Sequence, residues 1–247
     1  MLVIALLLSI LIGVALGLLG GGGSILTTPI LIYVLGMEPK SAIAASLLVV
    51  GTTSLAAIVQ HARAGNVVWR TGLTFGAAGM AGAYLGGFVA AWIPSNVLMG
   101  LFALMMLATA VAMFRGRKDP GPQAADHHHP LWMVIGEGLV VGVVTGLVGA
   151  GGGFLVVPAL ALMGGLPMPK AVGTSLLVIA MKSFAGYAGH ASHVEVDLVL
   201  AAEISAAAVV GSFVGTAVAS RIAPDMLRRG FAVFVLAMGT FVLYQQL

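Results

Sequence analysis

Cysteine is absent from the 247-residue sequence, and charged residues make up only 8% of it. The absence of cysteine excludes disulfides, thiol catalysis and cysteine-ligated metal sites. The scarcity of charge excludes an ordinary soluble domain, in which roughly a quarter of the residues are charged. A hydrophobic share of 60% and a mean hydropathy of +1.11 suit an apolar solvent instead. The sequence therefore predicts an integral membrane protein.

An extended basic patch is lacking as well, although the formal net charge is +3. The lysines and arginines lie in short stretches between apolar runs, so we expect the lipid bilayer, and no nucleic acid, as a partner. The N-terminus is apolar from Leu2 and lacks the basic n-region and the cleavage pattern of a signal peptide. Residues 2–19 are therefore interpreted as a retained membrane segment.

Ten apolar segments follow one another along the chain and predict an all-α integral membrane protein. Their breaks coincide with glycine and proline clusters that end helices. The predicted segments cover residues 2–19, 24–36, 42–60, 70–92, 97–114, 131–149, 154–164, 171–188, 198–220 and 230–246. Segments 24–36 and 154–164 are shorter than the roughly 20 residues that a spanning helix needs, so we expect them to be re-entrant or tilted.

The two halves of the sequence resemble each other at a shift of 129 residues, which places Pro158 on Pro29. The same shift matches Gly17 to Gly23 with Gly146 to Gly152, Ser46 with Ser175, Ser54 with Ser183, His61 with His190, Gly82 with Gly211 and Gly86 with Gly215. Such a series in one order favours an internal repeat over chance similarity between apolar helices. We therefore divide the chain into an N-terminal membrane repeat (1–114), a polar linker (115–130) and a C-terminal membrane repeat (131–247).

Five segments per half is an odd number, so the second repeat should be inverted relative to the first, as in many secondary transporters. With the N-terminus on one side of the membrane, nine of the eleven lysines and arginines fall on the other side. They are Arg63, Arg70, Arg115, Arg117, Lys118, Lys170, Arg221, Arg228 and Arg229. Because cytoplasmic loops are enriched in lysine and arginine, both termini should be periplasmic and the linker cytoplasmic.

Glycines spaced four residues apart predict close crossings between helices, because glycine lets helix backbones approach each other in a membrane. The pairs are Gly13/Gly17, Gly82/Gly86, Gly138/Gly142, Gly142/Gly146 and Gly211/Gly215. We expect packing, without a further function, for nearly all of these glycines.

Two glycine runs open the short segments and are the sharpest candidates for a binding site. Unwound backbone at membrane depth is tolerated only where protein or a polar cavity satisfies it. A helix that begins there presents free N–H groups to an anion, and an inverted repeat would bring two such ends to one central site. Tight turns or close helix crossings are the alternative interpretation. The candidate substrate-binding residues are Gly21, Gly22, Gly23, Ser24, Gly151, Gly152 and Gly153.

Four serines on the third and eighth segments recur in both halves and are further candidates for substrate binding. They are Ser46, Ser54, Ser175 and Ser183. The spacing of eight residues within each pair places both hydroxyls broadly on one face of a helix. These hydroxyls could donate to an oxyanion or bond to neighbouring helices.

Charged and titratable residues inside the predicted segments complete the candidate site. Lys182 lies about midway in the eighth segment, where a charge is costly unless it faces a cavity or a partner. An anionic substrate is one such partner, and Glu203 in the next segment is another. His61 and His190 end matching segments, and imidazole titrates where a proton-coupled carrier needs it. Coupling or gating is therefore the hypothesis for both histidines and Glu203, with a helix-end cap as the alternative for the histidines.

The polar linker contains His127, His128 and His129. Three adjacent histidines cannot easily share one metal in a regular helix, so we interpret them as part of a solvated loop and expect no metal or other cofactor. The sequence also lacks a two-histidine-plus-carboxylate cluster or a serine–base arrangement at helical spacing, which argues against an intramembrane enzyme.

Several of these features resemble the sulfite exporter TauE/SafE family, also described as the sulfonate uptake permease family, over essentially the whole chain. The two glycine runs are similar to its paired glycine-rich segments. The matching serine stretches are Ala45-Ser46-Leu47-Leu48 and Gly173-Thr174-Ser175-Leu176-Leu177. His61 followed by Gly65-Asn66-Val67-Val68-Trp69 is similar to the histidine and Gly-x-Val-Asp-Trp pattern of the family, with Val68 in place of the usual aspartate.

The resemblance implies secondary transport of small sulfur-containing anions, such as sulfite, sulfonates or sulfoacetate, often outward from a bacterial cytoplasm. The resemblance also places such a transporter in the bacterial inner membrane. The residues alone indicate a carrier for some small anion, and the expected inverted repeat favours alternating access. An anion channel and a membrane accessory or assembly subunit are the alternatives. A channel would lack coupling and saturation, and an accessory subunit would need its partner protein. The exact substrate and the oligomeric state are left open.

Overall fold

The computed structural model describes residues 2–19, 22–115, 131–148, 152–163, 165–219 and 221–245. In the first half the helices are α1 (Leu2–Leu19), α2 (Gly22–Pro29), π1 (Ile30–Val34), α3 (Pro39–Arg63), α4 (Trp69–Ala90) and α5 (Ser95–Arg115). In the second half they are α6 (Leu131–Val148), α7 (Gly153–Pro158), π2 (Ala159–Met163), α8 (Met168–His190), α9 (Leu198–Ala219) and α10 (Pro224–Tyr244). Each predicted segment coincides with a helix, so the all-α fold class is confirmed.

The surface of the helix bundle is apolar. Within the described residues, α3, α4, α5, α8 and α9 are long and apolar enough to cross a membrane. Large side chains such as Leu104, Trp132 and Val199 are exposed, whereas Ser54 and Lys182 are buried. Apolar groups outside and polar groups inside are what helices need when their surroundings are lipid. This distribution agrees with the predicted multi-pass membrane architecture.

The short helices α2 and α7 each continue into a π-helix at a proline. Pro29 is the last residue of α2, and Pro158 is the last residue of α7. Proline has no N–H to donate to the carbonyl four residues earlier, so the α-helical ladder is interrupted there, and a wider turn accommodates the interruption. After π1 and π2 the chain reverses at Gly36 and Gly165, which have φ angles of 66° and 64°. Glycine adopts this left-handed conformation without steric cost.

Two close crossings, α1 with α9 and α4 with α6, depend on the glycine pairs. A Cβ atom at Gly13 or Gly17 would collide with the backbone of α9. One at Gly211 or Gly215 would collide with the backbone of α1. The corresponding glycines of the α4–α6 crossing are Gly82, Gly86, Gly138, Gly142 and Gly146. The packing role predicted for these glycines is confirmed, because each of them permits direct contact between two helix backbones.

Helices α4 and α8 run parallel to each other. Near the starts of both helices, a Cβ atom at Gly72 would stand 3.2 Å from the methyl group of Thr174. Near their ends, one at Gly87 would stand 3.0 Å from the His190 ring. The starts of the two helices therefore lie on one face of the bundle, and their ends lie on the opposite face.

Helix α3 runs antiparallel to α4. The ammonium of Lys40, at the start of α3, donates a hydrogen bond of 2.7 Å to the carbonyl of Ala91, just after the end of α4. Because α4 is parallel to α8, α3 and α8 run in opposite directions. These two helices hold equivalent positions in the two halves, and they pack against each other.

Exchanging the two halves converts most helix contacts into other observed contacts. The pair α1–α9 becomes α6–α4, and α3–α9 becomes α8–α4. The pairs α3–α8, α5–α10 and α2–α7 each consist of a helix and its own equivalent. The contact of α3 with α8 and that of α2 with α7 therefore lie between the halves. Among the described candidate residues, these helices carry the four serines, Lys182, both histidines, Gly22, Gly23, Ser24 and Gly153.

Candidate functional site

Lys182 is buried in the middle of α8, with 1% of its surface exposed. Its aliphatic chain lies over Gly79 of α4, where a Cβ atom would stand 2.7 Å from the lysine Cδ. Its Nζ atom donates a hydrogen bond of 3.2 Å to Oγ1 of Thr145 on α6. Three helices thus hold the ammonium inside the bundle and away from lipid.

Thr145 and Gly152 complete the surroundings of the ammonium. The Thr145 hydroxyl donates to the carbonyl of Gly142 at 3.1 Å, so its lone pairs are available to accept from Lys182. Gly152 precedes α7 in the left-handed conformation, with a φ angle of 65°. A Cβ atom there would collide with Thr145 and stand 2.9 Å from Nζ of Lys182. Both the backbone angle and the space therefore require glycine at this position.

Glu203, the alternative partner that the sequence suggests for Lys182, is exposed on α9. The two residues form no ion pair within the described part of the chain, where the polar contact of Nζ is the Thr145 hydroxyl. A neutral hydroxyl, rather than a carboxylate, thus faces the ammonium. The coupling or gating role of Glu203 stays a prediction.

The four candidate serines form two pairs with different environments. Ser46 and Ser175 each donate to the carbonyl three residues earlier in the same helix, at 2.7 Å. Ser46 also accepts a hydrogen bond of 3.0 Å from Thr28 of α2. The hydroxyls of Ser54 and Ser183 are fully buried and have no hydrogen-bond partner within the described residues. Because a buried unsatisfied group costs about 1–3 kcal/mol, this second pair is the one best suited to bind a ligand.

The glycine runs are described in part. Gly22, Gly23, Ser24, Gly152 and Gly153 belong to the described residues, whereas Gly21 and Gly151 lie outside them. Helix α2 begins at Gly22 and α7 at Gly153, and the first N–H groups of a helix have no partner within the helix itself. The structure brings α2 and α7 into contact with each other. A role of these glycines in substrate binding stays a prediction.

His61 and His190 occupy equivalent ends of α3 and α8, but their hydrogen bonding differs. Nε2 of His190 lies 2.9 Å from the carbonyl oxygen of Gly146, in the last turn of α6. The His61 ring lies beside the backbone of Gly17, the equivalent residue of α1, yet neither ring nitrogen has a partner in hydrogen-bond geometry among the described residues. His190 therefore bonds to the end of another helix, whereas His61 does not, and coupling or gating stays a prediction for both.

Thr145 and Gly79 are the contacts of Lys182 that sequence reasoning misses. Each resembles an ordinary packing residue of a membrane helix when it is considered alone. A comparison of the two halves could have drawn attention to them, because the residue equivalent to Thr145 is Leu16 and the residue equivalent to Gly79 is Ala208. The chain thus departs from its own repeat at the residues that surround the lysine.

The linker histidines His127, His128 and His129 lie outside the described residues. Their interpretation as part of a solvated loop stays a prediction. Across the described ranges, no group of three or more histidine, aspartate or glutamate side chains is placed to hold a metal ion. The polar groups that the structure places around the candidate site are an ammonium, hydroxyls, imidazoles and backbone groups.

Comparison with known proteins finds relatives over nearly the whole chain. The family model described as Sulfite exporter TauE/SafE matches residues 5–242. A probable membrane transporter protein of Xylella fastidiosa is 36% identical over 241 residues, which cover 95% of this chain and 92% of that protein. One of Methanocaldococcus jannaschii is 30% identical over 257 residues, which cover 96% of this chain and 94% of that protein. No solved structure matches the chain.

Proposed function

The chain belongs to the sulfite exporter TauE/SafE family of membrane transporters, and from this premise we propose that it is a secondary transporter of small sulfur-containing anions. The proposed substrates are sulfite, sulfonates and sulfoacetate. The proposed direction is export across the bacterial inner membrane, by alternating access. Family membership supports the class of activity, and the chemistry around Lys182 supports an anionic substrate.

The burial of the Lys182 side chain is the observation that carries the proposal. Insertion scales give a cost of about 2.5–3.5 kcal/mol for a lysine at the centre of a spanning helix. A buried charge is retained where it is paired or hydrogen-bonded. The partner of Lys182 in the described chain is a single neutral hydroxyl, and an ammonium has three donors. The other donors are suited to the oxygen atoms of a bound anion.

Ser54 and Ser183 supply two further donors for the proposed site. Their hydroxyls are buried on α3 and α8 and lack partners among the described residues. These helices pack closely, because a Cβ atom at Gly51 of α3 would stand 3.3 Å from that of Ser183. Hydrogen bonds that involve an ionised group are roughly twice as strong as neutral ones. We assign Ser54, Ser183 and Lys182 to the substrate site, together with the glycines that begin α2 and α7.

We infer an inverted repeat as the basis of alternating access, in which one half rocks against the other. The opposite directions of α3 and α8 support it, as do the helix contacts that convert into one another when the halves are exchanged. The face that contains the end of α3 and the start of α8 carries Arg63 and Lys170. We propose that this face is cytoplasmic and that both termini are periplasmic, because cytoplasmic loops are enriched in such residues.

Proton coupling is a further part of the proposal and involves His61 and His190. Both imidazoles are buried at helix ends beside equivalent backbone groups. Histidine is the side chain whose ordinary titration lies near physiological pH. We propose that these residues exchange protons during the transport cycle.

Flux measurements on purified protein in proteoliposomes test the proposed function. Labelled sulfite or methanesulfonate should leave loaded vesicles at a saturable rate, and an unlabelled anion on the opposite side should accelerate it. Lys182→Ala should reduce this flux to that of empty liposomes, whereas Lys170→Ala, which alters an exposed lysine of the same helix, should not. A flux that does not saturate would indicate a channel. If no sulfur anion moves or binds, the proposed function is wrong.

A further inference from the structure

The surroundings of Lys182 differ from those of the equivalent position in the first half. The repeat shift of 129 residues pairs Lys182 with Thr53, Gly79 with Ala208, and Thr145 with Leu16. Gly152 keeps a glycine at its equivalent, Gly23. The halves therefore differ at the lysine and at both helix residues that contact it, while the glycine beside it is retained.

Around Lys182 these residues are complementary to one another, with Gly79 supplied by the first half and Thr145 by the second. Gly79 leaves room for the lysine chain, since a Cβ atom there would stand 2.7 Å from Cδ and 3.0 Å from Cγ. Thr145 accepts a hydrogen bond from Nζ at 3.2 Å. Alanine at position 79 would displace the chain, and leucine at position 145 would have no acceptor. Gly79 and Thr145 each suit the lysine, and their equivalents Ala208 and Leu16 do not.

The equivalent cluster, formed by Thr53 and Leu16 of the first half and Ala208 of the second, needs no ligand. The Thr53 hydroxyl donates to the carbonyl of Val49 in its own helix at 2.6 Å. Leu16 and Ala208 are fully buried apolar side chains. The Thr53 cluster is therefore satisfied by a backbone carbonyl and by apolar packing, whereas the equivalent cluster presents the amino group of Lys182.

We propose that a single substrate site forms around Lys182, with no counterpart around the equivalent Thr53, that it takes one singly charged oxyanion, and that Thr145 and Gly79 are positioning residues for Lys182. The proposal rests on the proposed function and adds the charge of the substrate, the number of sites and two residues. Thr145 fixes the direction of Nζ, and Gly79 lets the lysine chain reach that point.

The preference for a single charge follows from the charges around the site. Lys182 in its protonated form contributes one positive charge, and the other described lysines and arginines lie at helix ends or beyond them. A monoanion leaves the buried pair neutral, whereas a dianion adds an uncompensated charge, which is costly in a medium of low dielectric constant. Monovalent sulfonates and hydrogensulfite should therefore bind more tightly than divalent sulfate, and also more tightly than sulfoacetate, whose carboxylate adds a second charge.

Matched variants in the two halves test the positioning residues through the affinity for methanesulfonate. Gly79→Ala and Thr145→Val should each weaken binding about tenfold or more, through a higher KM with a smaller change in maximal rate, because a hydrogen bond to a charged group is displaced or lost. Thr145→Ser should restore the affinity, and Ala208→Gly should not change it. If Gly79→Ala does not fold, the comparison of Thr145→Val with Thr145→Ser tests the proposal. Wild-type affinity in Thr145→Val, or equal weakening by Ala208→Gly, would overturn the proposal.

Competition between monovalent and divalent anions tests the charge preference. Binding of methanesulfonate and of sulfate is measured at equal ionic strength, because both anions keep a fixed charge across the physiological pH range. Methanesulfonate should bind at least about tenfold more tightly, with one molecule per chain. Equal binding of sulfate, or two molecules per chain, would contradict this inference and leave the transporter intact. If neither anion binds and sulfite does not bind either, the proposed function is wrong as well.

Discussion

Nζ of Lys182 and Oγ1 of Thr145 lie 3.2 Å apart and join α8 to α6 inside the helix bundle. Their equivalents in the first half, Thr53 and Leu16, cannot form such a bond, because leucine has no acceptor in its side chain. The bond therefore marks the place where two otherwise similar halves differ in charge. The two halves are similar in sequence, and the candidate site lies where their residues differ.

Replacing the lysine by an apolar side chain of similar shape should separate binding from folding. Lys182→Met should leave the melting temperature unchanged or higher, because exchanging a buried charge for a well-packed apolar group is often neutral or stabilising. The same variant should lose the stabilisation that sulfonate gives the wild type, which is about 2.7 kcal/mol at a hundredfold excess over Kd. Thermal unfolding in detergent, with and without the anion, measures both effects. An unchanged anion response would remove Lys182 from the site.

The close glycine crossings should tolerate no side chain. Gly82→Val and Gly211→Val, at equivalent positions of α4 and α9, should each destabilise the protein by about 1–3 kcal/mol or more, because the added methyl groups meet the backbone of another helix. Gly100→Ala and Gly230→Ala are suitable controls, since no atom lies within 4 Å of the added Cβ in either case. Thermal unfolding compares the four variants. If the two valine variants were as stable as the two alanine controls, the close helix crossings at Gly82 and Gly211 would be contradicted.

The two histidines should differ in their contribution to stability. His190→Ala removes the hydrogen bond with the Gly146 carbonyl, which should cost about 0.5–1.5 kcal/mol. His61→Ala removes an imidazole of equivalent position that lacks such a bond in the described structure, so its cost should be smaller. Unfolding of the two variants under identical conditions measures the difference. The asymmetry would be disproved by a larger loss in His61→Ala.

The orientation in the membrane can be read with single cysteines, because the natural chain has none. His193→Cys and Lys170→Cys place thiols at exposed positions near opposite ends of α8. A membrane-impermeant maleimide should label position 193 in intact spheroplasts and position 170 only after permeabilisation. The reverse pattern would place both termini in the cytoplasm and contradict the charge-based prediction.

Helix positions are predictable from the sequence because the apolar runs and their glycine and proline breaks are local features. The segment predicted at 42–60 forms the core of α3, which extends over Pro39–Arg63. Hydropathy marks only the apolar part of such a helix, whereas the helix itself continues through polar end residues that stand near water. The predicted segments are therefore shorter than the observed helices, because they stop before these polar end residues.

Two serine pairs show what cannot be predicted in this way. Ser46 and Ser54 lie on one helix and are equally plausible ligand-binding residues in the sequence. Only the structure distinguishes them, since Ser46 bonds to its own backbone and to Thr28, whereas Ser54 is buried without a partner among the described residues. The difference depends on helix rotation and on what the neighbouring helix presents, and neither is encoded locally.

The sequence by itself determined the apolar, all-α character of the chain, the order of its helices, the internal repeat and the glycines at the close crossings. These properties follow from hydropathy and short-range spacing. Tertiary structure alone decided that Lys182 meets Thr145 over Gly79, and that Glu203 is exposed on α9. Such contacts join helices distant in the chain, and they depend on the depth and rotation at which those helices pack.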